Sequence, residues 1–366
     1  MALLPEPDAR AAWRALAPDL DGLREDPAAR RLWPALAAAV SRHGIDAAAA
    51  APWLAAARRA AAERNRTLFA AGGRLLGALR EAGIDTLVLK GGALALTRYE
   101  APDLRPMADL DVLVPTARAR AALDALGAAG WAPRVPVSDA FIRMQHAANL
   151  RTRGGEAKCD LHWHAYWECC HPGADDPLWA ASRPLDFEGV ATRVLGPADQ
   201  LLHVCVNGSR RARRPTITWV ADAVLVLRAG DVDWPRLVAE ARERRVVLRA
   251  RAMLGYLRAR LDAPVPGPVL EELLALPVSR LERVEHRAGN RRAGVLGALP
   301  VYWCNYRRFR ERAGPGAAPG FARYLQQVWR LASLREVARA ALDRAGRRIR
   351  AAAGRPTEGP SGLRRQ

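Results

Sequence analysis

The chain has 366 residues, half of them apolar and 26% charged, with a formal net charge of +19. That length accommodates two domains, or one large domain with extensions, and no apolar run approaches the roughly 20 residues that a membrane-spanning helix needs. Nearly all the positive charge is arginine, the only lysines being Lys90 and Lys158; with so much alanine this is the bias of a GC-rich genome, which favours general attraction of anions over a specific nucleic-acid partner.

The first residues, "MALLPEPDARAAW", lack a basic segment leading into an apolar one, so no secretory signal is expected. The five cysteines, Cys159, Cys169, Cys170, Cys205 and Cys304, are irregularly spaced, which points to reduced thiols and a cytoplasmic address. Residues 1–82 read as an N-terminal helical region: Trp53, Leu54, Leu68, Phe69, Leu75, Leu76 and Leu79 recur near helical spacing, and Gly83 is placed as a C-cap.

Residues 83–200 read as a core. "DTLVLK" is a short buried strand, "GGALALTRY" turns into a helix, and "APDLRP" is a loop. "DLDVLVP" is a second strand closed by Pro115, followed by a helix over about 116–129. "HAANLRT", the pair Gly154-Gly155 and "AKCDLHWHAYW" form a hairpin. In its second strand, period two puts Asp160, His162 and His164 on one face. Residues 201–311 read as a helical C-terminal domain, 312–320 as a linker, and 321–352 as one basic amphipathic helix. Residues 353–366 read as a disordered tail. The fold class is therefore α+β: a small mixed sheet with helices packed on it, flanked by helical regions at both ends. The apolar stripe of the 321–352 helix is expected to pack on the domain, with peripheral contact to an anionic membrane as the alternative. The cluster "RRARR" at Arg210–Arg214 reads as a solvated turn, with a ligand-facing role as its alternative.

The chemistry concentrates in residues 87–114. Gly91 and Gly92 follow a strand and open a helix, a place where backbone N–H groups approach a phosphate. Asp109 and Asp111 stand two apart on a strand, so both carboxylates point to one side. Carboxylates that close repel unless a cation lies between them, and Mg²⁺ suits oxygen ligands and substrate phosphates together. Asp160 is the candidate third carboxylate of a two-ion site. Lys90 and Arg105 are charge partners for a triphosphate on chemical grounds. Solvated strand-end aspartates and an ordinary strand-to-helix turn are the simpler alternatives. Residues 159–171 are rich in Cys and His, yet show no CxxC or HExxH spacing, so zinc is not expected there.

These residues resemble the nucleotidyltransferase superfamily with the DNA polymerase β-type fold, and within it the large family of uncharacterised bacterial nucleotidyltransferases. The likeness rests on "LVLKGGALAL", Arg105, "DLDVLV" and "CDLHW", and extends over roughly residues 10–260. It implies that Gly91 and Gly92 hold nucleotide phosphates, that Asp109 and Asp111 bind Mg²⁺, and that Asp160 is a further ligand or the base. The implied substrate is an NTP, ATP among the choices, and the implied reaction moves an NMP to a hydroxyl or phosphate of an unidentified small-molecule or peptide acceptor. The alternative is a non-catalytic nucleotide-binding or regulatory module of the same fold, acting as an accessory protein of a biosynthetic cluster. The connection "TRYEAPDLRPM" is longer than in small superfamily members, which leaves open whether it tightens the site or disables it.

Overall fold

The computed structural model describes residues 6–209, 217–290, 299–313 and 318–353. Its strands are β1 (Leu87–Leu89), β2 (Leu110–Leu113), β3 (Trp131–Pro133), β4 (Ala147–Thr152), β5 (Lys158–His162), β6 (Arg183–Phe187) and β7 (Val190–Val194). They form one sheet in the order β3-β4-β5-β2-β1-β7-β6. The β2–β5 and β1–β7 pairs are parallel and the others antiparallel, so the sheet is mixed.

β1 and β2 are short apolar runs because helices cover both faces of the sheet. On one face Val88, Val112 and Leu161 pack with Leu68, Leu75 and Leu79 of the helix Ala51–Glu81 and with Leu126 of the helix Ala119–Ala128. On the other, Leu87, Leu89 and Leu113 meet the helices Pro197–Gly208, Thr218–Arg228 and Val247–Leu261 through Leu201, Val226 and Leu254. The helix Ala51–Glu81 has 31 residues, about 46 Å at the usual rise, and it approaches the sheet closely. A Cβ on Gly72 would lie 2.7 Å from a Leu110 methyl, and one on Gly92 would lie 2.6 Å from the other. Leu110, the residue between the two aspartates, is thus held in a slot that only glycines leave open.

Two differences from the sequence reading have physical reasons. The hairpin β6–β7 joins the sheet beside β1, although its polar, partly exposed strands carry little apolar signal; Glu188 and Gly189 turn it, both with positive φ. The expected single helix over 321–352 is broken into Phe321–Val328 and Leu334–Ala353. Arg330 adopts φ 54°, and the Leu331 N–H donates to the Gln326 carbonyl, which ends the first helix. Leu325 and Val337 from its stripe are buried with Met144, Tyr306 and Tyr324. "RRARR" and the tail beyond residue 353 lie outside the described residues, as does part of the 312–320 linker. Among the described residues no helix is long and apolar enough to cross a membrane.

Candidate active site

Strand register builds the site. Leu89 pairs with Asp111, Asp111 with Asp160, and Asp160 with Asn149, so one row crosses β1, β2, β5 and β4. Paired residues point to the same face, and here it is the face of the C-terminal helices. Two positions along β5, His162 lies beside Leu113 and presents Nε2 to Asp111 Oδ1 at 3.0 Å. One ligand atom from each of Asp111, Asp160 and His162 falls within 4.8 Å of the others. Asp109 lies just before β2, partly buried, and stands outside that closest group.

The electrostatics are those of crowded carboxylates beside one ammonium. Burial, then Asp111 and Asp160, push the Asp109 carboxyl up to about 6. Burial also works against the Asp111 carboxylate, but the Lys90 ammonium beside it holds it well below the usual range. His162 Nδ1 contacts the His164 carbonyl at 3.3 Å. The ionised Asp111 carboxylate only accepts, so the 3.0 Å bond to it is donated by His162 Nε2–H. The Lys90 ammonium bonds the same carboxylate and lies 3.4 Å from that nitrogen, so two donors converge on Asp111. Asn149 donates its amide to Asp160 and fixes that carboxylate. The donor set therefore fits a divalent cation. The carboxylates of Asp109, Asp111 and Asp160 suit Mg²⁺, with His162 as a nitrogen neighbour.

The other expected residues are placed as follows. Lys90 opens the helix Lys90–Thr97 with φ 46°, a strained value for a side-chain-bearing residue, and its amine is engaged by Asp111. Gly91 and Gly92 lie inside the first turn of that helix and are buried. Both have a packing reason to be glycine, against Met107 and Leu110 respectively. Arg105 is not open to a triphosphate: Nε and Nη2 donate to the two oxygens of Asp222 at 2.8 and 2.9 Å. Burial opposes its charge, yet Asp222 raises its pKa further. Tyr99 donates to the same Asp222 at 2.8 Å.

The long connection before β2 is pinned rather than loose. Buried Asn65 donates to the Pro102 and Arg105 carbonyls at 2.7 and 3.0 Å and accepts from the Met107 N–H at 3.2 Å. With Arg105 on Asp222, this tie delivers Asp109 to the site from both flanking helical regions. His164, expected on the same face as Asp160, lies beyond the end of β5 and pairs with Asp175 at 2.9 Å. Among the described residues, no separate group of His and Cys ligands gathers in 159–171.

Sequence reasoning did not single out Asn149, Asn65 or Asp222. Counting back across the Gly154-Gly155 turn would have found Asn149 opposite Asp160. A lone aspartate inside "WVADAVLVL" signals a buried partner without naming it.

The sequence profile of the family described as uncharacterised nucleotidyltransferase matches residues 27–262. No curated protein matches the chain. The solved structure of an antigenic nucleotidyltransferase-like protein from Paracoccidioides brasiliensis is similar over 58% of this chain and 95% of its own, at 17% identity and a TM-score of 0.38. The antibiotic-resistance factor ANT(2'')-Ia is similar over 54% of this chain and 94% of its own, at 12% identity and a TM-score of 0.35.

Proposed function

We propose that this chain, which belongs to the uncharacterised nucleotidyltransferase family, transfers an NMP from an NTP to a hydroxyl or phosphate oxygen of a small-molecule or peptide acceptor. The observation that carries this reading is the convergence of Asp111, Asp160 and His162 beside the first turn of the helix Lys90–Thr97. In the reaction the acceptor oxygen bonds the α-phosphorus, the bond from that phosphorus to the bridging oxygen breaks, and pyrophosphate leaves with that oxygen.

Asp109, Asp111 and Asp160 would hold Mg²⁺, in a two-ion arrangement if all three take part. Bound Mg²⁺ would neutralise charge on the phosphates. Asp160, fixed by Asn149, would take the acceptor's proton. Lys90, at the start of the helix, would turn to the triphosphate once its partner Asp111 is otherwise neutralised. The backbone N–H groups of Gly91 and Gly92 would meet the phosphates at the positive end of the helix dipole. Arg105 acts through position: it ties Asp222 to the segment that delivers Asp109.

The test is pyrophosphate release from each of the four NTPs with Mg²⁺ and a pool of cellular metabolites. Release that disappears in Asp111→Asn and Asp160→Asn supports the reading; absence of NTP binding in Mg²⁺ sinks it. One observation favours a second reading. The Lys90 ammonium already sits on Asp111, and a lysine held there would keep the site free of metal and make the chain a nucleotide-binding regulatory module. Nucleotide binding without product, and without any effect of Mg²⁺ on affinity, would select it.

A further inference from the structure

We propose that the cleft between the turn Trp167–Cys169 and the helix Leu299–Ala313 is a second ligand site, for a molecule carrying a carboxylate or phosphate group. The cleft is small and partly open, with a cavity volume of about 30 Å³. Asn305 lines it and is 5% exposed, yet among the described residues neither amide atom of its side chain has a hydrogen-bond partner. Arg308 lines it too, 8% exposed. Its terminal nitrogens bond the Arg244 and Arg245 carbonyls and Glu285, while its Nε–H has no partner among the described residues. Buried polar groups are normally matched, so such orphans on two residues that line one cleft call for a partner.

The chemistry of that partner follows from the donor count. Asn305 Nδ2 offers two N–H groups and Arg308 Nε one, against a single free acceptor, Asn305 Oδ1. A surplus of donors is met best by a group with several acceptor oxygens and little hydrogen to give, which is a carboxylate or a phosphate. The rim is balanced in charge, with Arg245 paired to Glu311 and Arg312 to Glu243, so it does not oppose an anion.

Position gives the cleft a role. Trp167 forms part of its wall, the His146 ring lies 6.4 Å from the Trp167 ring, and the His162 ring lies 5.3 Å from that of His146. One aromatic layer therefore separates the cleft from the acidic row. On that proximity, Trp167 to His146 to His162, the cleft is assigned as an acceptor subsite. That assignment as acceptor subsite rests on the nucleotidyl-transfer reading; the binding of the anion does not.

The experiment is calorimetric titration of the full chain with inorganic phosphate and separately with acetate, against chloride at matched ionic strength. An Asp111→Asn background without metal keeps phosphate from being drawn to the nucleotide site by Mg²⁺. Saturable binding of at least one anion is expected, weakened at least tenfold by Asn305→Leu and by Asn305→Asp, with MgNTP affinity of the otherwise native chain unchanged by either. If Asn305→Leu does not fold by circular dichroism, Arg312→Gln on the rim should weaken the anion at least threefold. Absence of saturable binding for both anions, or unchanged affinity in the folded variants, overturns the proposal and leaves only water in the cleft. Anion binding sensitive to Asn305 in a chain without NTP turnover keeps the site and removes the transfer reading; turnover without anion binding does the reverse.

Discussion

The two faces of the central sheet are built from the same three strands and do different things. Toward the helix Ala51–Glu81 the strands present Val88, Leu110, Val112, Cys159 and Leu161, all apolar and buried. Toward the C-terminal helices they present Leu87, Leu89 and Leu113, but also Asp111, 6% exposed, and His162, 1% exposed. A one-residue slip of register would exchange the two sets, so the apolar face fixes where the polar row must fall. Buried polar groups on the second face are not a solvated surface. They neutralise and orient one another, and one of the charges they hold in place is the amine of a strained lysine. Under the proposed function, stability is carried mainly by the first face and chemistry by the second.

Substitutions that separate the faces test this division. The largest effect is expected for Asp111→Asn, which should lower pyrophosphate release on the order of 10³-fold, since a metal ligand's share of transition-state charge amounts to several kcal/mol. Its far-UV circular dichroism should stay native; a lost fold would show that the polar row also carries the architecture. Asp222→Ala comes next. It strands Arg105 without its buried partner, a class of change that costs about 3–5 kcal/mol, measurable by urea denaturation. Because Arg105 shares its segment with Asp109, turnover should fall as well, whereas intact turnover would detach the helical region from the site. Leu161→Ala should cost about 2–5 kcal/mol by opening a cavity on the apolar face, with turnover per folded molecule unchanged. A selective loss of turnover there would break the division between the faces.

The sequence made the apolar face and half of the polar row legible for one reason: both follow local periodicity. Continuous apolar runs announced β1 and β2, the Gly154-Gly155 turn announced the β4–β5 hairpin, and period two placed Asp160 and His162 together. What local pattern does not carry is which strand lies beside which. The direct pairing of Asp111 with Asp160 is a parallel contact between separate segments, and its register emerges only when both strands are packed. Arg105 shows the same limit from the other side. An arginine near a presumed phosphate site reads as a phosphate partner until a buried aspartate from a distant helix claims it. The β6–β7 hairpin and the break at Arg330 escaped because polar edge strands and a left-handed C-cap leave almost no hydrophobic signature.

The smallest effect, and the one that bears most directly on the cation, is a pH dependence. Asp109 has its carboxyl raised from 3.8 to about 6 by burial and by Asp111 and Asp160. An acid whose folded pKa lies above its unfolded value favours the folded state while it is protonated. Its contribution is therefore full below pH 4 and lost as pH rises to about 6. A two-unit shift corresponds to at most roughly 3 kcal/mol, and partial exposure reduces it to about 1–2 kcal/mol. The metal-free chain should lose that much stability between pH 4 and pH 6, and Asp109→Asn should abolish this step while leaving those from other raised acids such as Asp199 and Glu282. Mg²⁺ supplies the missing counter-charge only to the ionised form, so the rise in Tm on adding Mg²⁺ should be larger at pH 7 than at pH 5. An equal rise at both pH values would mean that Mg²⁺ binds elsewhere, and that the Lys90 ammonium is the permanent cation of the row.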